Sequence, residues 1–134
     1  MFYRKLGTTG ISVSELGFGA WAIGGSRYEW SYGPTDDSQS LAAIDAALEF
    51  GCTMFDTADI YGRGHSERLL GKKLHGRRSS LVIADKVGFD FYHGVTRSNF
   101  HPAYLRFALH QSLRRLQTDY LDLLLLHNPS PDDK

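Results

Sequence analysis

The sequence predicts an α/β fold with a parallel sheet covered by helices, and three observations carry that prediction. A short hairpin is followed by three strand-helix units and a fourth strand, each later strand is close to continuous in apolar residues, and each helix keeps its apolar side chains on one face. Two closures satisfy this order: an open doubly wound sheet, and a (β/α)8 barrel, which typically needs about 250 residues. The chain has 134 residues, one domain at most and enough for a real core.

Taken in order, Arg4 to Ser14 reads as the hairpin, two short strand-like pieces around a turn that Gly7 and Gly10 permit. The first core strand is Leu16-Gly17-Phe18-Gly19-Ala20, running into Trp21 and a Gly24-Gly25 loop. Gly17 to Ala22 formally matches the GxGxxA dinucleotide fingerprint. That fingerprint needs a helix opening at its glycines, whereas an aromatic loop through Tyr28, Trp30 and Tyr32 follows, so the match is rejected. Pro34-Thr35-Asp36-Asp37 predicts a helix start with the Thr35 hydroxyl as N-cap and acids in the first turn. Leu41, Ile44 and Leu48 recur at helical spacing beside Ala47, and Gly51 supplies the stop.

Residues 53–58 form the next strand. Ser66 or His65 opens a short helix through Leu69, Leu70 and Leu74 that ends at Gly76. After a polar turn, Arg77-Arg78-Ser79-Ser80, the run Leu81-Val82-Ile83-Ala84 is a buried strand that delivers Asp85 and Lys86 at its end. A long loop over residues 88–101 leads to a helix beginning near Pro102, a residue tolerated in a first turn. Its Leu105, Ala108, Leu109, Ser112, Leu113 and Leu116 keep one face. Residues 120–126 form the last strand, ending in His127-Asn128-Pro129.

Composition excludes several classes of function. Fifteen basic and 15 acidic residues balance, so the chain lacks the basic excess of a phosphate-tracking surface and is not expected to bind nucleic acid. The cluster Lys72, Lys73, Arg77 and Arg78 reads as a solvated helix end and loop. Cys52 is the only cysteine, so no intrachain disulfide can form and a reducing compartment suits the chain. The start Met1-Phe2-Tyr3-Arg4-Lys5 lacks the apolar core of a signal peptide, and the aliphatic run Leu123 to Leu126 is too short to span a bilayer. A cytoplasmic protein with no membrane contact is the expectation.

The stretch Phe55-Asp56-Thr57-Ala58-Asp59-Ile60-Tyr61-Gly62 organises the rest. Strand alternation puts Met54, Asp56 and Ala58 on one face and Thr53, Phe55 and Thr57 on the other. A carboxylate on such a face requires a cation or hydrogen-bond donors from elsewhere in the chain. Asp56, Tyr61, Lys86 and His127 all fall at or just beyond the C-terminal ends of three successive strands, the edge where α/β folds build active sites. Each alone has a plain structural explanation, as an exposed lysine, a satisfied histidine or a loop aromatic. Together they make a chemical system. A phenol with a pKa of about 10 holds its proton at neutral pH. A Lys86 ammonium beside it favours the phenolate, Asp56 can hold that ammonium charged and oriented, and His127 can aim a ring N–H at the oxygen that Tyr61 protonates. The set suits a carbonyl whose oxygen gains charge as hydride reaches its carbon, and because no side chain donates hydride, a nicotinamide is required.

These residues carry a resemblance. The hairpin, Leu16-Gly17-Phe18-Gly19-Ala20-Trp21, the Phe55 to Gly62 stretch, Ser66-Glu67-Arg68-Leu69-Leu70-Gly71, Lys86-Val87-Gly88, and Ser112-Leu113-Arg114-Arg115-Leu116-Gln117-Thr118-Asp119-Tyr120-Leu121-Asp122-Leu123 through His127 resemble the N-terminal half of an aldo-keto reductase. The resemblance implies a (β/α)8 barrel of TIM type, here its first half over residues 1–134: the hairpin, about four parallel strands and three helices. It implies interconversion of an aldehyde or ketone, small or sugar-like, with its alcohol, using NADPH, with NADH the other candidate. It also implies a catalytic tetrad of Asp56, Tyr61, Lys86 and His127, with Tyr61 as general acid/base. Ala20, Trp21 and Asp56 would lie near the nicotinamide-ribose end of the cofactor, and Trp21 with the loop around Trp30 would shape the substrate pocket.

Two departures from the family pattern stand out. Asp85 precedes Lys86 where the family more often has threonine, and alternation should send it away from the mouth with little effect. The chain also ends shortly after His127, before the second four strands, so it carries the whole tetrad but part of the cofactor site. The expectation is a fragment with little activity alone, whose unpaired strand edges drive self-association or pairing with a missing C-terminal half. Two other functions compete. One is a non-catalytic half-barrel binding or assembly module, against which the full tetrad argues. The other is a metal-dependent hydrolase using Asp56, Asp59, His65 and His127, whose spacing matches no closed ligand set, so no metal is expected.

Overall fold

The computed structural model describes residues 1–28 and 32–131; Trp30 lies outside the described residues. Strands β1 (Tyr3–Lys5) and β2 (Ser12–Ser14) pair antiparallel as the hairpin. The hairpin closes over the N-terminal end of the main sheet: the Ser14 N–H donates to Thr53 Oγ1, and the Thr53 N–H to Ser14 Oγ, both at 2.9 Å.

The main sheet holds β3 (Gly17–Gly19), β4 (Met54–Asp56), β5 (Val82–Val87) and, beyond the short strands β6 (Phe89–Asp90) and β7 (Arg97–Ser98), β8 (Leu123–Leu126). Its order is β3-β4-β5-β8 and every pairing is parallel, so neighbours in sequence are neighbours in space. Helices α1 (Asp37–Glu49), α2 (His65–Leu74) and α3 (Pro102–Leu116) make the crossovers. This is the first part of a (β/α)8 barrel, the closure expected from the resemblance. The core between sheet and helices is built from Ile44, Phe55, Leu70, Leu74, Ile83 and Leu116, all essentially inaccessible to solvent.

Several local expectations are corrected. The N-cap of α1 is Asp36, whose carboxylate accepts from the Gln39 N–H at 3.0 Å, because a carboxylate one residue nearer the helix reaches that amide better than the Thr35 hydroxyl. Helix α2 ends at Leu74 rather than Gly76, and a 3-10 segment, His75–Ser80, carries the chain on. Within it Arg78 is buried, not solvated: its guanidinium donates to Asp122 Oδ2 at 2.7 Å and to the carbonyls of Leu81 and Tyr120, and stacks on the Tyr120 ring. A guanidinium can be buried in this way because carboxylate and carbonyls take up its donors. The stretch over residues 88–101 contains a second hairpin, β6 (Phe89–Asp90) with β7 (Arg97–Ser98).

The sheet is unequal across its width. Strand β5 is buried nearly throughout, whereas Leu124, Leu125 and Leu126 of β8 are 47%, 44% and 44% exposed. No helix among the described residues is long and apolar enough to cross a membrane.

Candidate active site

The parallel sheet delivers Asp56 at the end of β4 and Lys86 next to the end of β5 on one face, and register does the rest. Asp56 pairs with Ala84 and Lys86 with Leu125, so the two side chains sit two residues apart along neighbouring strands and the long lysine spans the gap. Lys86 Nζ donates to Asp56 Oδ1 and Oδ2, each at 2.6 Å, and to the Thr57 carbonyl at 2.8 Å. The Tyr61 hydroxyl lies 3.5 Å from the same ammonium. The Asp56 side chain is 40% exposed and Lys86 19%, so the pair stands at a wet mouth rather than in the core.

Tyr61 reaches this mouth because its turn is tightly folded. The Tyr61 N–H donates to the Ala58 carbonyl at 3.1 Å, and the Tyr61 carbonyl accepts from the Ser66 N–H at 3.2 Å. Gly62 has φ +60°, and a Cβ there would come within 2.1 Å of the Gly24 carbonyl oxygen, so only glycine lets the two loops touch. Behind the turn the Thr57 hydroxyl meets Ser66 Oγ at 2.9 Å, and Ser66 donates on to the Ala20 carbonyl at 2.9 Å, tying β3, β4 and α2 together.

His127 follows β8, and its N–H donates to the Val87 carbonyl at 2.9 Å, which extends the β5 pairing by one residue. Its ring meets Tyr61 edge-on with centroids 5.7 Å apart and packs against Phe89 at 5.1 Å. Burial, with the Lys86 charge adding to it, pushes the imidazole below its ordinary pKa, so at neutral pH it is neutral, with one N–H donor. Its Nδ1 is buried with no hydrogen-bond partner among the described residues.

The structure therefore brings Asp56, Tyr61, Lys86 and His127 to one place. Trp21 stacks beside Tyr61, with centroids 6.2 Å apart and 26° between planes, and also packs against Tyr32 at 4.5 Å. Ala20 is fully buried, with its N–H given to the Asp56 carbonyl at 2.8 Å, so it forms the wall under the mouth. The residues of the metal reading are dispersed. His65 Nε2 pairs with Asp37 at 2.7 Å, and Asp59 is wholly buried with neither carboxylate oxygen bonded. Among the described residues no three metal-ligating side chains form a group. As alternation predicts, Asp85 leaves the opposite face from Lys86 and is buried.

Fold and mouth together define the class: a parallel β/α barrel portion with an ionic, aromatic-lined site at its strand ends. The sequence profile of the Aldo/keto reductase family matches residues 15–134, and the chain belongs to that family. It is similar to the aldo-keto reductase YhdN of Bacillus subtilis, 40% identical over 133 residues, and to the L-galactose dehydrogenase of Arabidopsis thaliana, 36% identical over 128 residues. These matches cover 98% and 93% of this chain but 39% and 37% of the relatives. Among solved structures, the holo form of aldo-keto reductase AKR11C1 from Bacillus halodurans superposes with a TM-score of 0.87 at 41% identity, over 99% of this chain and 42% of that one. The chain thus spans about two fifths of the length of the relatives it matches.

Proposed function

We propose that this chain carries the proton-transfer machinery of an oxidoreductase that interconverts an aldehyde or ketone with its alcohol, with NADPH as the hydride source. The observation that carries the reading is the lysine: Asp56 and the Thr57 carbonyl anchor its ammonium 3.5 Å from the Tyr61 hydroxyl, close enough for its charge to act on that oxygen. In that arrangement Tyr61 is the general acid in reduction and the general base in oxidation. The ammonium stabilises the phenolate that proton donation leaves behind, and Asp56 keeps the ammonium charged and aimed. His127 is neutral, so it orients the carbonyl oxygen through an N–H without competing with Tyr61 as acid.

The side chains at the mouth fit a flat nicotinamide. The exposed face of Trp21, 38% accessible, and the accessible Asp56 carboxylate border the space in front of Tyr61, above the Ala20 wall. These three residues would hold the nicotinamide-ribose end. The bound dinucleotide supplies the hydride that no side chain can provide.

The same reading covers association. Strands β3 and β8 terminate the sheet, and the half-exposed leucines of β8 with Leu16 leave apolar surface beside unpaired backbone. Such edges favour pairing with a segment that continues the barrel, or with a second copy. The direct test combines this chain with the C-terminal portion of the Bacillus subtilis relative and follows NADPH oxidation with a test aldehyde. Turnover is expected with the wild-type chain and a fall of about 100-fold or more with Tyr61→Phe, the usual reach of a general acid. Equal turnover with both chains overturns the assignment.

A further inference from the structure

Beneath the mouth, on the side facing the helices, lies a second ionic cluster that the proton-transfer scheme does not use. At its centre is the guanidinium of Arg115, from the last turn of α3. Arg115 Nε donates to Glu67 Oε2 at 2.5 Å and Nη2 to Glu67 Oε1 at 3.3 Å; Glu67 is wholly buried in the first turn of α2. The guanidinium also donates through Nη1 to the Tyr92 hydroxyl, next to the hairpin of β6 and β7, and through Nη2 to Ser112 Oγ at 3.4 Å.

The same side chain presses on the turn that carries Tyr61. Gly64, with φ +84°, caps the start of α2, and a Cβ built there would lie 2.4 Å from Arg115 Cδ and 2.5 Å from Nε. A glycine is required because the turn's backbone lies flat against the arginine stem. Two further buried carboxylates, Asp59 and Asp85, lie close enough to Glu67 to feel its charge. They flank the Lys86 peptide: Asp85 Oδ1 accepts the Lys86 N–H at 2.9 Å, and the Asp59 N–H donates to the Lys86 carbonyl at 3.0 Å. One side chain of α3 thus braces the Tyr61 turn through Gly64, α2 through Glu67, and the segment carrying Phe89, which packs on His127, through Tyr92.

We infer that Arg115 is a positioning residue for Tyr61: by clamping Gly64 and Glu67 it holds the phenol against the Lys86 ammonium, although it does not reach the mouth itself. The consequence for turnover rests on the proposed role of Tyr61, whereas the positioning does not, and the two are separable by experiment. Arg115→Met with Glu67→Gln removes the clamp without leaving a buried charge unpaired. Tyr92→Phe removes a single contact of the same guanidinium. Ile44→Val trims the core at α1, away from the turn.

The readout is the fluorine resonance of Tyr61 in 3-fluorotyrosine-labelled chain, identified by its loss in Tyr61→Phe, and the change in that resonance when Lys86→Met is added, which reports whether ring and ammonium are held together. In the double variant the response to Lys86→Met should be largely lost as the ammonium contact loosens. Tyr92→Phe should diminish it by less, and Ile44→Val should leave it in place. A folded double variant with an undiminished response overturns the inference. If the double variant does not fold, an undiminished response in Tyr92→Phe does so instead. A response that is lost while Tyr61→Phe still supports full turnover in the reconstitution would remove the proton-donor reading and keep the clamp.

Discussion

Asp56 and Asp59 leave the same short segment three residues apart and meet opposite fates. Asp56 emerges at the mouth, 40% exposed, with a lysine holding both its oxygens. Asp59 turns inward, is completely buried, and has neither oxygen bonded. Burial first, and then the nearby Glu67 charge, push Asp59 up to about 8. Asp85 is raised well above the carboxylate range for the same two causes, with Asp59 adding to them. The difference teaches that a carboxylate taken out of water depends on a cation within reach: Glu67, as deeply buried as Asp59, has Arg115, whereas neither Asp59 oxygen has a partner.

The sharpest break of the contrast is to remove the mouth's cation. If Tyr61 is the proton donor proposed above, Lys86→Met should lower turnover in the reconstitution by about 100-fold or more, through loss of the charge that would stabilise the phenolate. It should cost the chain little urea stability, since the Asp56 carboxylate left behind is 40% exposed and can be rehydrated. Next comes the buried cation. Arg115→Met alone should destabilise by about 3–5 kcal/mol by stranding the Glu67 charge, and adding Glu67→Gln should recover much of the loss in the same urea titration.

The third test uses pH. Because the folded Asp59 binds its proton more tightly than the unfolded chain does, the native state holds more protons above the ordinary carboxylate pKa. Stability should therefore fall as pH rises from about 4 toward about 8, at up to about 1.4 kcal/mol per unit for a single group. Asp59→Asn should flatten that decline, and an equally steep profile in the variant would show that Asp59 is not held neutral. His127 acts in the opposite sense, its depressed pKa costing stability below its ordinary value, so His127→Gln should give the smallest change, a mild gain confined to acid pH.

Much of the mouth was legible in the chain because alternation and strand-end position are local properties. Residue parity put Lys86 on one face and Asp85 on the other, and the apolar runs ended where the ionisable groups began. The bracing beneath was not. Glu67 and Arg115 are 48 positions apart, and Arg115 sits among basic residues at a helix end, where such residues serve the helix dipole. The burial of Arg78 is hidden for the same reason: a basic run reads as solvated until Asp122, 44 positions away, folds against it. The hairpin of β6 and β7 is not legible either, because two-residue strands leave no periodic signal.

By itself the sequence determined the order of strands and helices, the parity of each strand and therefore which chemical groups reach the C-terminal edge, since these follow from neighbours along the chain. Only the tertiary structure decided which carboxylate would meet a cation and which would be left neutral in the core. That outcome depends on packing between α2, α3 and the strand ends, where a few ångströms separate a satisfied charge from one that must take up a proton.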